Sequence, residues 1–364
     1  MGELSLSVLA AAYGADLLIG DPRWLPHPVR VMGLAIQGGE WLLRKLVTAD
    51  RQRVRHSAAA LTAAAAWERL AGAFLVLVVV GGSYGLSAWL LKQLAAFSPA
   101  WGLAGSVFLL FTCFSTRDLA VESRAVWRAL DAADLPRARR AVSRIVGRDT
   151  ERLDQAEIVR ATLETIAEST LDGILSPLFY VVLGGVPLAV AYKAINTLDS
   201  MVGHRSARYI RFGWAAANVD TWANWLPARW SAIVFAAATW LRHGWHRASE
   251  SWQYAWRDGS GGPVPNAGIP EAALAGALEV RLGGVNWYQG QPVQMPVMGD
   301  ARKPLESPRI PEAIRLMYAA SVIAWLMATS ILACERIPAV RGSWGSPASA
   351  PSIHRVPLGG VNAM

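Results

Sequence analysis

The sequence predicts an all-α, polytopic integral membrane protein with a soluble helical insert and long cytoplasmic loops. Three observations predict it. Of 364 residues, 53% are hydrophobic and only 17% charged, with a mean hydropathy of +0.27, above soluble domains but below a protein made only of spanning helices. The apolar residues gather into runs separated by basic or Pro/Gly-rich stretches. Seventeen Trp suit a chain with many apolar-to-polar boundaries, where indoles collect.

The first run, Leu4 to Gly20 with Asp16 inside it, lacks a basic leader and a small-residue cleavage site and reads as a retained first membrane helix. The following loop carries Arg23, Arg30, Arg44, Lys45, Arg51, Arg53 and Arg55, which places it in the cytoplasm by the positive-inside rule. Ala71 to Leu91 and Trp101 to Thr116 read as a hairpin of spans around a Lys92 to Pro99 loop, so residues 1–117 form an N-terminal membrane unit.

Residues 118–170 change character, becoming Arg- and Glu-rich with helical periodicity. Helices are expected through Val121 to Ala129, through Leu135 to Val146, and after Asp154, where Asp154 and Glu157 have capping-box spacing. This is the soluble insert. Residues 171–241 hold two broken apolar runs. Ile174 to Ala191 is interrupted by Pro177, Gly184-Gly185 and Pro187, and Trp222 to Leu241 by Asn224, Pro227 and Arg229. Either both runs span, or both are re-entrant or buried on the cytoplasmic side; Lys193, Arg205, Arg208 and Arg211 favour the latter. A loop region follows at 242–316, a last membrane helix at 317–336 containing Met317 to Ala333, and a Pro-, Gly- and Ser-rich tail at 337–364 that reads as disordered.

A net charge of +8 fits anionic lipid or anionic substrates, and no nucleic-acid-binding motif accompanies it. Cys113 and Cys334 have no partner at ligand spacing, which excludes a zinc site or disulfide framework. Phosphate-loop and dinucleotide fingerprints are absent.

Polar residues concentrate in Tyr192 to His204. On a helix Lys193, Asn196, Thr197, Ser200 and His204 share one face, with Asp199 at its margin. Such a face at membrane depth points to a site for a charged ligand; a helix end whose Lys and His reach the lipid interface is the alternative. Glu164, Glu168 and Asp172 recur at i, i+4 and i+8, a spacing of like charges that a cation would relieve, and an all-oxygen set suits Mg²⁺. Gly147-Arg148-Asp149-Thr150 either receives an anion or simply caps two helices. The proline-stiffened Asp21 to Arg30 loop presents Arg23, His27 and Arg30, and Pro265 to Glu271 offers Asn266 and the free amide of Gly268 at a helix start.

These segments, from Gly20-Asp21-Pro22-Arg23-Trp24-Leu25-Pro26-His27-Pro28 through Val146 to Thr150, Ala167 to Gly173, Pro177 to Tyr180, Tyr192 to Gly203 and Pro265 to Gly268, resemble the CobD/CbiB family of cobalamin-biosynthesis membrane proteins, the adenosylcobinamide-phosphate synthases. The resemblance implies a multi-pass inner-membrane ligase with its site facing the cytoplasm. It would join aminopropanol or aminopropanol phosphate to the free propionate of adenosylcobyric acid, using ATP and Mg²⁺. It implies Lys193, Asp199, Glu168 and Asp172 as catalytic residues, and Arg23, His27, Arg148, Asp149, Asn196, Thr197, Ser200, Asn266 and Gly268 as substrate-binding residues. Glu164, Glu168, Asp172, Asp199 and Asp220 are its implied metal ligands. The expected partners are the corrinoid, the amine, membrane lipid and either a second copy or other cobalamin-assembly enzymes, with no nucleic acid. Ser169, Thr221 and Gly261 to Pro265 depart from the family pattern. The alternative is a non-enzymatic membrane sensor or transport-associated protein on the same scaffold.

Overall fold

The computed structural model describes residues 5–22, 24–25, 27–51, 58–204, 206–261 and 266–334. The predicted tail at 337–364 lies outside them. Helix α1 (Leu6–Ile19) starts at Ser5, whose hydroxyl accepts the Val8 N–H. Its 14 residues reach about 21 Å, short of the ~30 Å hydrocarbon core. The first run is therefore no complete span. Its inner end is tied instead to the protein: Asp16, 1% exposed, accepts the Thr116 N–H at 3.1 Å.

Helices α2 (Pro28–Arg51), α3 (Ala58–Phe97) and α4 (Pro99–Phe111) follow. Ser98 caps α4 with Pro99 in its first turn, and Gly102 lets α4 approach the Ala95 backbone. The predicted hairpin is present with its turn at Ser98. Phe74, Leu77, Val78, Leu86 and Trp89 on α3 are exposed, the arrangement of a helix whose solvent is lipid. Helix α5 (Thr116–Asp131) continues after a four-residue break, and α6 (Leu135–Val142) packs against it.

Helix α7 (Gln155–Thr170) opens with the capping box read from sequence: Asp154 accepts the Glu157 N–H at 2.8 Å and Glu157 accepts the Asp154 N–H at 2.9 Å. Ile158, Val159, Leu163 and Ile166 are fully buried in the one core that joins all the helical layers. Arg160 and Glu164 of α7 are buried and stand 3.8 Å apart. A π turn (Leu171–Leu175) leads to α8 (Ser176–Val202).

The apolar segment Gln155–Val202 is long enough to cross a membrane, yet it doubles back. Gly184 and Gly185 leave helical geometry, Gly185 at φ +74, which a side chain would make costly. Asn196 Nδ2 then donates to Asp172 Oδ2 at 3.1 Å, and the Tyr180 and Tyr192 rings stack with centroids 4.9 Å apart. In a straight helix Asp172 and Asn196 would lie about 36 Å apart. This is the folded-back member of the two arrangements the sequence allowed.

Helix α9 (Trp214–Ala223) meets α10 (Trp225–His243) at Asn224; α11 (Trp245–Arg257) and the fully apolar-packed α12 (Gly268–Leu278) complete a helical layer. A β-hairpin, absent from the sequence reading, pairs β1 (Leu282–Tyr288) antiparallel with β2 (Gln291–Met298), Trp287 facing Pro292. Gly283, at φ +78, lies hard against the Pro296 carbonyl. Helix α13 (Arg309–Cys334) returns through the core beside α1, with Ser321 Oγ 2.7 Å from Tyr13 Oη. Together Ala65–Phe97, Pro99–Asp131, Gln155–Val202 and Arg309–Cys334 are the four stretches of sufficient length and apolarity to cross a membrane among the described residues. The architecture is all-α, polytopic and membrane-embedded.

Cysteines at Tyr180→Cys and Tyr192→Cys, in a protein lacking Cys113 and Cys334, should be joined by a short bifunctional thiol reagent. A straight helix would hold them about 18 Å apart, and failure to cross-link would contradict the fold-back.

Candidate active site

The fold-back builds the first half of the site. Asp172 enters on the π turn, a local irregularity that re-aims side chains at functional sites. Tyr192 Oη stands 3.4 Å from Asp172 Oδ1 and donates to Asn224 Oδ1 at 2.9 Å; Ser176 also donates to Asn224 at 2.8 Å. Asn224 Nδ2 in turn reaches both Asp220 oxygens at 3.2 Å. Asn224 is 2% exposed, and every polar atom of its side chain is engaged, as a group this deep requires. The network therefore fixes Asp172 and Asp220 relative to the returning limb of α8.

Lys193 projects from that limb, half-buried, and pairs with none of the described carboxylates. Its charge is felt by Asp172 and by His27. His27, 7% exposed, accepts the Val29 N–H at Nδ1 and meets Asp21 through Nε2 at 3.3 Å. Burial lowers its pKa below the usual range, against the pull of Asp21 and with help from Lys193 and Arg30, so the imidazole is neutral. The loop before α2 thus reaches the Lys193 face.

The second half is a cavity of about 230 Å³ between α7, α12 and the β-hairpin, lined by Arg148, Glu168, Glu271, Asn286, Gly268 and apolar groups including Met295. Glu168 is exposed and lines the cavity; neither it nor Glu271 has a hydrogen-bond or ion-pair partner among the described residues. Burial, and then the Glu164 and Glu168 charges, push the Glu271 carboxyl well above the ordinary range. Glu168 also feels Asp220 and Asp199, which links the cavity to the Lys193 face.

Several expected residues serve the scaffold. Glu164 accepts from Arg148 at 2.7 Å and from the Gly283 N–H at 2.8 Å, with Arg160 at 3.8 Å. It is a fully engaged anchor for β1, not an open metal ligand. Arg160 holds the carbonyls of Gly283 and Val285. Asp149 accepts the Gln289 and Gly290 N–H groups at 3.1 and 2.7 Å and secures the hairpin turn. Thr197 and Ser200 donate to carbonyls of their own helix, those of Lys193 and Asn196. Gly268 sits on the Gly259 carbonyl, where a side chain would not fit, and also lines the cavity. Asn266 donates to Thr221 O at 2.7 Å while its buried Oδ1 has no partner. Asp199 stands against Gly203 near His204. Arg23 lies outside the described residues.

Among the described residues no three His, Cys, Asp or Glu side chains converge closely enough to share one ion. Glu168, Asp172, Asp199 and Asp220 are electrostatic neighbours spread over the junction of the two halves. Sequence reasoning missed Asn224, Glu271, Asn286 and Tyr192 as site-building residues. Asn224 registered only as a break in an apolar run and Glu271 only as a complement to a helix dipole.

The family model described as "CobD/Cbib protein" matches residues 9–317. The "Cobalamin biosynthesis protein CobD" of Geobacter metallireducens is 44% identical over 90% of this chain and 96% of its own length. That of Klebsiella pneumoniae is 42% identical over 88% and 95%. The "Cobalamin biosynthesis protein CbiB" of Salmonella typhimurium is 40% identical over 86% and 93%. No solved structure matches.

Two outcomes follow from the geometry. Asp149→Ala should loosen the hairpin by about 1 kcal/mol, given its solvent exposure, seen as roughly fivefold faster chymotrypsin cleavage after Trp287 or Tyr288. Glu271 binds its proton more tightly folded than unfolded, so its ionisation costs stability, and that cost grows as pH rises above the ordinary carboxylate range. Glu271→Gln should therefore raise the Tm in detergent at pH 8 and leave it little changed at pH 4.

Proposed function

Since the chain belongs to the CobD/CbiB family of cobalamin biosynthesis proteins, whose work implies a corrinoid substrate, we propose that it is an ATP-dependent amide-forming ligase. In this reading it attaches aminopropanol or its phosphate to the free propionate of adenosylcobyric acid, giving adenosylcobinamide or its phosphate. The observation that carries the reading is Lys193: a half-buried cation with no counter-ion among the described residues, set beside Asp172 and the neutral His27. A cation at such depth calls for an anionic ligand.

A carboxylate is a poor acylating agent. When bound, ATP would supply a γ-phosphoryl group to a propionate oxygen with release of ADP, so that attack of the amine nitrogen on the acyl carbon would form the amide with loss of a proton and of inorganic phosphate. Lys193 stabilises the transferring phosphoryl oxygens by charge. Asn196, held by Asp172, orients the group that Lys193 binds. His27, being neutral, adds a polar contact without repelling Lys193.

The donor set fits Mg²⁺. Glu168, Asp172, Asp199 and Asp220 supply only oxygen, and Mg²⁺ takes one or two carboxylates and completes its shell with water and phosphate. Bound by these residues it would neutralise phosphate charge. Basic residues between α1 and α3 support a cytoplasmic orientation of the site in the inner membrane, and the exposed apolar face of α3 supports lipid as its surrounding partner.

The test is to incubate detergent-purified protein with adenosylcobyric acid, aminopropanol phosphate and MgATP and to follow the corrinoid by mass spectrometry. Amide product is expected. Its absence, beside a working relative, would favour a sensor or transport-associated role. Lys193→Ala should lower kcat by about 100-fold or more, the scale for loss of a transition-state charge contact; full activity in that variant would remove Lys193 from the mechanism.

A further inference from the structure

The exposed tryptophans of α3 mark two levels. Trp67 and Trp89 lie about 33 Å apart along one unbroken helix, which matches the ~30 Å hydrocarbon core with an indole at each boundary. Other parts of the chain gather at the Trp67 level. Gly39 of α2 abuts Leu75 of α3, and Phe212 touches both Gly72 of α3 and the Arg44 guanidinium of α2. The second half of α2, the start of the apolar part of α3 and the segment 206–214 therefore share one height. That height is basic and aromatic: Arg69 lies over the Trp214 ring at 5.9 Å, and Arg211 stands 4.0 Å from Glu68.

Here α2 and Arg208 form an open groove of about 430 Å³, lined by Gln37, Glu40, Trp41, Arg44, Lys45 and Arg208. Three cations face one carboxylate, and that carboxylate is consumed. Glu40 accepts from Arg44 Nε at 2.8 Å, Arg208 Nη2 at 2.9 Å and Tyr209 Oη at 3.3 Å. The Arg208 side chain is 64% exposed, and its Nη1 has no partner among the described residues. Lys45 Nζ stands 5.1 Å from the centroid of the exposed Trp41 ring. Leu34, Trp41 and Lys45 recur on one face of α2, with Val31 a further turn back, and both aliphatic side chains are exposed. An apolar strip thus runs from the cations toward the middle of the hydrocarbon layer. Two surplus positive charges at the head of such a strip are complementary to an amphiphile with a negative head. A soluble anion would leave the strip bare, and a zwitterionic lipid would bring an ammonium that the cluster repels.

We propose that this groove is a binding site for a phospholipid of net negative charge, its phosphate received by Arg208 and Lys45 and an acyl chain laid along Leu34 and Val31. The occupant is a lipid and not a second copy of the chain. The groove heads a lipid-facing strip at the membrane boundary, and a twofold contact through it would set the same three cations against themselves. Arg44 Nη2 donates to the Arg208 carbonyl at 2.8 Å, which holds the two phosphate-binding cations on separate elements at one place. A bound phosphate therefore clips α2 to the segment that follows α8. The site is independent of the ligase reading.

The experiment is native mass spectrometry of the detergent-purified full chain, with phosphatidylglycerol and phosphatidylcholine of identical acyl chains as probes. Wild-type protein should retain phosphatidylglycerol at least about tenfold more tightly, since two surplus charges act on it. Lys45→Gln, which leaves the Glu40 contacts of Arg44 and Arg208 in place, should weaken phosphatidylglycerol about fivefold, and Arg208→Gln should do the same. Leu34→Asp, which puts a carboxylate on the apolar strip, should weaken both lipids. Arg137→Gln, at an exposed arginine of α6, should change neither, and excess inorganic phosphate should leave phosphatidylglycerol bound. Equal retention of the two lipids, unchanged phosphatidylglycerol affinity in either Lys45→Gln or Arg208→Gln, or an equal loss in Arg137→Gln would each overturn the assignment. Complete displacement by inorganic phosphate would make the groove a soluble-anion site and overturn it. A lipid-free dimer that Trp41→Asp splits would give the face to a second copy, with the same result.

Discussion

The hydrogen-bond chain from Asp172 through Tyr192 and Asn224 to Asp220 is the constraint on which the site depends. At membrane depth no water is present to satisfy stray polar groups, so a broken helix persists only where protein supplies the partners. Here the partners come from both limbs of one hairpin and from the α9–α10 junction. Gly184 and Gly185 make the reversal possible, and the buried polar chain makes it specific. With the limbs antiparallel, the π turn and the Lys193 face occupy the same end. Without the reversal the carboxylate and the amine would be separated by the full length of a membrane helix.

A second set of ion pairs performs a comparable task for the cavity. Glu164, Arg160 and Arg148 are buried, mutually engaged and bonded to the backbone of β1. Buried charges of this kind contribute little net stability but strongly penalise alternatives, because breaking the set strands a charge. They therefore dictate where the hairpin rests against α7. The same cavity wall carries Glu168 and Glu271, which have no hydrogen-bond or ion-pair partner among the described residues.

The acidic helix read from sequence as a single cation-binding stripe is divided in the same way. Glu164 is consumed by the scaffold, Glu168 faces the cavity, and Asp172 is turned by the π turn toward Tyr192 and Asn196. Helical spacing put all three on one face. The extra residue in the π turn and the arrival of β1 sent them to three environments. The Thr197 and Ser200 hydroxyls, which shared the face with Lys193, bond to their own helix, as short hydroxyl side chains do when no donor or acceptor lies closer.

The sequence by itself determined the membrane class, the capping box of α7, the hairpin of α3 and α4, and Lys193 as an anomalous charge, because each is a local property of period, composition or spacing. The family resemblance, too, was carried by short contiguous segments. Only the tertiary structure decided that α1 is too short to span, that one face of α7 is buried in the core, and that Gly184-Gly185 reverse the chain. It alone brought Asn224 to Tyr192, placed Glu271 opposite Arg148, and tied Asp149 to the hairpin turn. The physical reason is range. Caps and periodicity act over a turn or two of backbone, whereas these contacts join residues tens to more than a hundred positions apart, and which partner a buried charge takes depends on what the rest of the fold delivers to it.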